Sequence, residues 1–259
     1  MMTNYIFNEK TYIENFLNNQ PMENGVGARY IISLLIRYYY QFKGQDNVDK
    51  KIILNDLKNN SSFCENNKLQ DYELESVVKS VIDKQRKHYK ENGTYKPLKQ
   101  LDYIPLYSGE LEYIKSMNTD QEKKFMFTCY IIARFYNTMW VNTSATEIFK
   151  LANISKTSKE KDLFIGKLWK EDKISMSDYI TSLAIKLKDV KKPDDEIVLK
   201  VYEMKNLGHL ILATIKPDYK QCERCGKLVK KKGRNLHYCP KCKNIMEKER
   251  YKKYNKTRD

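Results

Sequence analysis

Four cysteines near the end of the chain, Cys222 and Cys225 followed by Cys239 and Cys242, are spaced C-x2-C, thirteen residues, C-x2-C. Two intervening residues let a tight turn present both sulfurs of a pair to one ion, and thirteen residues can bring the second pair opposite the first. The spacing therefore predicts one tetrahedral metal site with Cys222, Cys225, Cys239 and Cys242 as ligands and one structural Zn²⁺ as the cofactor. Gly226, directly after the second cysteine, suits such a turn because it has no Cβ to clash at positive φ. Pro240 is expected to stiffen a second knuckle between the later two ligands. A catalytic zinc keeps one position open for water, which four cysteines do not leave, so the ion is expected to hold structure together.

Two disulfides or a redox dithiol are the rival uses of such cysteines. The sequence shows no signal peptide and no apolar stretch approaching the roughly 20 residues that span a bilayer, so no membrane association is expected. A reducing cytoplasm is the expected location, where clustered cysteines are more often metal ligands than disulfides. Cys64 and Cys129 have no partner at ligand spacing. Cys129 lies in the apolar run FMFTCYIIARF and is expected to be a buried small hydrophobe. His237 lies close to the cluster, but with four thiolates present it is expected at the surface. About 40 residues rarely build a sufficient core alone, so metal binding should supply much of this segment's folding free energy.

Charge is concentrated in the same place. From Pro217 to Asp259 there are fifteen Lys or Arg against five Asp or Glu, a balance of +10 out of +15 for the whole chain. Four thiolates and one Zn²⁺ lower it only to +8. A cluster of this kind suits a polyanion, since each neutralised phosphate releases condensed counterions. Lys227, Lys230, Lys231, Lys232 and Arg234 lie between the two cysteine pairs, and Lys241, Lys243, Arg250 and Lys253 flank or follow the second. After Cys242 the run KNIMEKERYKKYNKTRD has good helix formers and no proline, which predicts a basic terminal helix or tail. Tyr238, Tyr251 and Tyr254 are interleaved with these charges, and aromatic rings stack on exposed bases. A solvated tail that touches nothing is the competing reading of such a run.

The preceding two hundred residues read as mainly helical. Residues 26–42 have the length and apolar spacing of a helix, DKKIILNDLKNN of a shorter one, and DYELESVVKSVIDKQRKHYK places Leu74, Val77, Val78, Val81 and Ile82 on one face. The basic end of that third helix, with Lys84, Arg86 and Lys87, suits phosphate contact at most, and LKQLDYIPLY follows as an expected strand. A second stretch repeats the order. QEKKFMFTCYIIARFYNT is a long apolar helix and SATEIFKLANI a short one. A third should begin at Thr157, which has capping-box spacing to Glu160, with Leu163, Phe164 and Leu168 facing inward and a strand from Ile174. LLIRYYYQ at 34–41 also aligns with IIARFYNT at 131–138. EIVLKVYEMKNLGHLILATI reads as a β-hairpin turning at Asn206, Leu207 and Gly208.

Residues 222–242 resemble a zinc ribbon, with C-x-x-C-G and Y-C-P-x-C knuckles, and residues 121–180 resemble a winged helix. Zinc ribbons recur in transcription and replication proteins. The winged-helix resemblance implies a recognition helix in the DNA major groove, whose early residues here are Lys156, Ser158, Lys159 and Lys161. The expected fold is mainly α with some β: tandem winged-helix-like units over 1–105 and 106–190, then a β-hairpin, zinc ribbon and basic tail over 191–259.

No Gly-rich phosphate loop, nucleophile elbow or H-E-x-x-H motif occurs, and His88, His209 and His237 are scattered. The zinc-deaminase pattern is missing its His-x-Glu, so no enzyme is expected. The expected function is non-enzymatic DNA binding, as a transcription or replication regulator of the kind a mobile element carries, with duplex DNA as the partner. The alternatives are a protein-interaction adaptor with a structural zinc foot, contacting a partner such as a polymerase, and an RNA- or single-strand-binding protein.

Overall fold

The computed structural model describes residues 5–20, 26–44, 48–67, 69–177, 184–192, 194–230 and 237–256. The chain divides into two compact units, residues 1–102 and 103–259. Both are mainly helical, and the strands form small antiparallel sheets.

The first unit contains α1 (Glu9–Leu17), α2 (Ala28–Phe42), α3 (Lys50–Asn59), α4 (Ser61–Asn66) and α5 (Asp71–Asn92). Its apolar residues recur at helical spacing and meet in one core, in which Ile13, Phe16, Ile32, Leu35, Ile53 and Val78 are all buried. Polar residues fix how the helices enter it. Asn60 caps α4 by accepting from the Phe63 N–H at 2.8 Å, while its amide donates to the Phe16 carbonyl at 2.8 Å. Glu9, 2% exposed, accepts from Arg37 at 2.8 Å, the Tyr30 hydroxyl at 2.6 Å and the Lys99 N–H at 2.7 Å. That buried ion pair ties α1, α2 and the segment after α5 together. Among the described residues of this unit, the one β pairing is an isolated Asn8–Gln100 bridge.

The second unit runs β1 (Ile104–Tyr107), α6 (Ser108–Lys115), α7 (Asp120–Phe135), β2 (Trp140–Val141), α8 (Ala145–Leu151), α9 (Ser158–Lys170), β3 (Ser175–Met176) and β4 (Ile185–Lys186). It continues through β5 (Ile197–Val201), α10 (Leu207–Ile215), β6 (Tyr219–Gln221), β7 (Leu228–Lys230) and α11 (Pro240–Lys256). Helix α7 is apolar on nearly every side because neighbours cover it all round: β1, β2, α6, α8 and α10 pack on it, and Phe125, Met126, Phe127, Tyr130, Ile131 and Ile132 are buried. The cysteine expected in its core, Cys129, is fully buried, which pushes its thiol pKa up. Helix α9 starts where its capping box requires, with Thr157 accepting from the Glu160 N–H and the Glu160 carboxylate accepting from the Thr157 N–H at 2.7 Å. The three short strands around α8 and α9 form one antiparallel sheet in the order β2-β4-β3.

Three expectations are corrected. The strand expected after α5 forms as β1, but it pairs with β5 in the second unit, with Ile104 opposite Val201 and Leu106 opposite Leu199. It is no wing on α2, α3 and α5, whose core among the described residues is built mainly of helices. The β-hairpin expected over 196–215 is half strand and half helix. Its second run, LGHLILATI, is α10, because packing against α7, β6 and β7 rewards the burial of Leu207, Ile211 and Leu212 on one helix. A nine-residue apolar run has no periodicity to separate a buried strand from a buried helix, so tertiary packing decided it. The Asn206 and Gly208 read as a turn do other work. Asn206 takes the left-handed conformation at the helix cap, and a Cβ on Gly208 would overlap the Ala152 carbonyl at the end of α8. Finally, Leu163 points outward at 65% exposure and Ile165 takes the buried place beside Leu168. Among the described residues no helix is long and apolar enough to cross a membrane.

Candidate metal centre and the basic residues around it

Strands β6 and β7 pair with Tyr219 opposite Lys230 and Gln221 opposite Leu228, and the turn between them carries the first cysteine pair. Gly226 adopts φ +67° there and donates its N–H to the Cys222 carbonyl at 2.8 Å, while the Cys222 N–H donates to the Lys227 carbonyl at 2.8 Å. The sequence reading of a knuckle after Cys225 is the observed local structure. The second pair sits differently from the expected second knuckle: Cys239 immediately precedes α11 and Cys242 lies in its first turn. Pro240 occupies the first helical position, where its missing N–H costs nothing and its fixed φ suits the helix.

The four Sγ atoms lie within 4.8 Å of one another, and Cys222, Cys239 and Cys242 are buried. Cys225 and Cys239 are 3.8 Å apart at sulfur. Tetrahedral Zn–S bonds of about 2.3 Å imply sulfur edges of about 3.8 Å, so the residues fit such an ion. Backbone amides are aimed at the sulfurs, from Cys239 to Cys222 Sγ at 3.2 Å and from Cys242 to Cys239 Sγ at 3.4 Å. Burial alone would raise the Cys222 thiol, but N–H groups of Cys239, Cys225 and Arg224 outweigh it and bring its pKa down to about 6. The Cys242 N–H likewise lowers Cys239, while burial beside the other sulfurs raises Cys242. Anions are thus favoured at two of the four sulfurs, and the positive end of the α11 dipole adds to this. These four cysteines could hold a metal ion. His237 is exposed and its ring nitrogen faces the Glu223 carboxylate, away from any ligand role.

The segment has few other means of support. Among the described residues its buried members are the three cysteines, with Cys225, Val229 and Tyr238 packed against them. Arg224 makes a two-pronged ion pair with Glu249 at 2.9 and 2.8 Å, fastening the knuckle to α11. Asn206 fastens it to the helical body: its amide donates to the Cys225 carbonyl at 3.3 Å, and its side-chain oxygen accepts from Asn153 at 3.2 Å. Gly226 is held to glycine twice over, by its positive φ and because a Cβ would overlap the Asn206 amide. Sequence reasoning missed this junction, although asparagine is one of the few non-glycine residues that readily take a left-handed position.

The basic residues singled out from sequence fall in two places. Ser158 and Lys159 lie exposed in the first turn of α9, the Lys156 ammonium sits 5.6 Å over the Phe164 ring, and Lys161 donates to Thr146 at 3.3 Å. Lys227, Lys241 and Lys243 lie within two residues of a cysteine in the chain, Arg250 lies two turns further along α11, and all four are exposed. Lys243 has Glu247 one turn on, at 4.0 Å. Lys231, Lys232 and Arg234 lie outside the described residues, as do the side chains of Lys230 and Lys253. The expected terminal helix forms as α11.

Comparison with known proteins finds nothing similar: no family model, curated protein or solved structure matches the chain.

Proposed function

We propose that the protein binds duplex DNA without catalysing a reaction, as a regulator of transcription or replication, and that the ion in its cysteine cluster is a structural Zn²⁺. The observation that carries this reading is the set of exposed basic side chains Lys227, Lys241, Lys243 and Arg250 around a site that holds no open coordination position. The sequence from 217 to 259 keeps a net +8 with such an ion bound. Positive charge held on a rigid frame suits a phosphate backbone, where each contact releases counterions. The order α7-β2-α8-α9-β3-β4, with β4 between β2 and β3, is compatible with a winged helix, and supports α9 as the helix offered to the major groove. In that role Lys156, Ser158, Lys159 and Lys161 meet DNA first.

A second reading is favoured by one observation. Leu163 and Trp169 on α9 are 65% and 53% exposed, which suits a protein partner better than a groove of phosphates. A salt titration of the full chain on a fluorescent duplex separates the two. DNA binding predicts a steep log-log slope, and changing Lys227, Lys241, Lys243 and Arg250 together to Gln should flatten it by about 3 to 4. Weak, salt-insensitive binding to duplex would instead favour the adaptor, and an unchanged slope in the quadruple variant would remove the basic segment from the mechanism.

A further inference from the structure

Three tyrosines in the first unit form a continuous stack. Tyr40 of α2 and Tyr95 lie with ring centroids 3.8 Å apart and planes 9° from parallel; Tyr95 and Tyr89 of α5 lie 4.5 Å apart at 20°. Tyr40 at the inner end is buried, whereas Tyr89 at the outer end is 45% exposed. Pinning the segment after α5 against α2 needs only the inner pair. The third ring extends the stack to the surface and ends it on an exposed aromatic side chain.

The charge around that ring has one sign in excess. Arg86 lies one helical turn before Tyr89 and Lys90 directly follows it, both exposed. From Lys79 to Glu91 the helix carries five Lys or Arg against two acids, and one of those acids, Glu91, faces Lys87 at 3.8 Å. Arg86 also borders, with Lys50, Lys79, Asp49 and Asp83, a cleft between the start of α3 and α5 that does not include Tyr89. An aromatic ring stacks on any base through its π-face; Arg86, one turn away on the same helix face, suits the phosphate beside that base, and the long Lys90 chain leaves the next position round the helix for the phosphate on the other side.

We propose that Tyr89 is a stacking platform for an unpaired nucleobase, and that the first unit binds single-stranded nucleic acid with Arg86 and Lys90 on its phosphates. The basis is the stack and its flanking charge, independent of the duplex reading of the second unit. A base placed on Tyr89 continues a column that is already ordered, so little side-chain freedom is lost on binding.

The test uses the full chain and two fluorescein-labelled single strands of about 12 nucleotides, one bearing bases and one fully abasic. The expected result is tighter binding of the base-bearing strand. Tyr89→Ala should weaken binding to that strand by about 5- to 100-fold, leave the abasic strand unchanged, and be rescued by Tyr89→Phe. Tyr89→Leu, which keeps apolar contact with Tyr95 but cannot stack, should show the same loss if Tyr89→Ala proves unstable. Equal loss on both strands, no loss on either, or no binding by the wild-type chain overturns the proposal. So does a loss seen on blunt duplex in place of the single strand. Failure of the duplex reading is separate: the quadruple variant at Lys227, Lys241, Lys243 and Arg250 should preserve the difference between base-bearing and abasic strands.

Discussion

The first unit and the cysteine segment are held together by different means. Residues 1–102 bury a broad set of aliphatic and aromatic side chains, from Ile13 through Val78, around a satisfied ion pair. Among the described residues of 217–256, those buried are three cysteines. A chain segment that cannot remove enough apolar surface from water has to find its folding free energy elsewhere, and four sulfurs converging within 4.8 Å offer a metal as that source. The two regions should therefore fail under different insults.

Metal removal is the sharpest way to break the comparison. Chelation, or Cys239→Ser, should unfold residues 217–256 while leaving the first unit folded, because structural Zn²⁺ contributes about 10–16 kcal/mol in small domains that depend on it. Hydrogen exchange with metal analysis reads this; a segment that stays protected without metal would show that Arg224–Glu249 and Asn206 suffice. Next in size is Arg37→Ala, which strands the Glu9 carboxylate in the first unit's core. It should cost about 3–5 kcal/mol there and leave the metal content unchanged, measured by denaturant unfolding. Gly208→Ala tests the helical body to which Asn206 fastens the cysteine segment. The added methyl meets the Ala152 carbonyl, so the second unit should lose about 1–3 kcal/mol. Wild-type stability at this position would mean that α10 can shift without consequence.

Acid offers a milder probe. Glu122 at the start of α7 is 1% exposed and accepts from Lys167 at 2.8 Å and Lys173 at 3.0 Å. Burial alone would raise its pKa, but the two lysines outweigh it and hold the carboxylate below its ordinary 4.5. A depressed folded-state value means that the stabilisation is full above the unfolded value and is lost as pH falls through the folded one. The second unit should therefore weaken below about pH 4.5, and Glu122→Gln should flatten that acid limb in a pH series of melting curves. The smallest effect expected is that of Thr157→Ala, which removes the α9 cap at a cost of about 1 kcal/mol, readable as a small shift in the second unit's unfolding midpoint.

The sites and elements legible from sequence share one property: their determinants are close together in the chain. The C-x2-C pairs, the Thr157 to Glu160 box and the periodic face of α5 each express themselves over a few residues. The hairpin misreading and the outward turn of Leu163 arose where the answer depended on what packed against the segment. Helices α1, α4 and α6 were missed because each is short, at nine residues or fewer. The tyrosine stack draws Tyr40 and Tyr95 together across fifty-five residues, and no local pattern announces it.

By itself the sequence determined that four cysteines would converge, that most of the chain would be helical and that positive charge would gather at its end. These follow from ligand spacing, side-chain periodicity and composition, which operate within a turn or two of helix. Only the tertiary structure decided that β1 would find β5 some ninety residues away, that LGHLILATI would be a helix, and that Asn206 would join the knuckle to the body. Each of those outcomes depends on contact with a distant neighbour, burial for β1 and α10 and hydrogen bonds for Asn206, and the free energy of that contact exceeds local conformational preference.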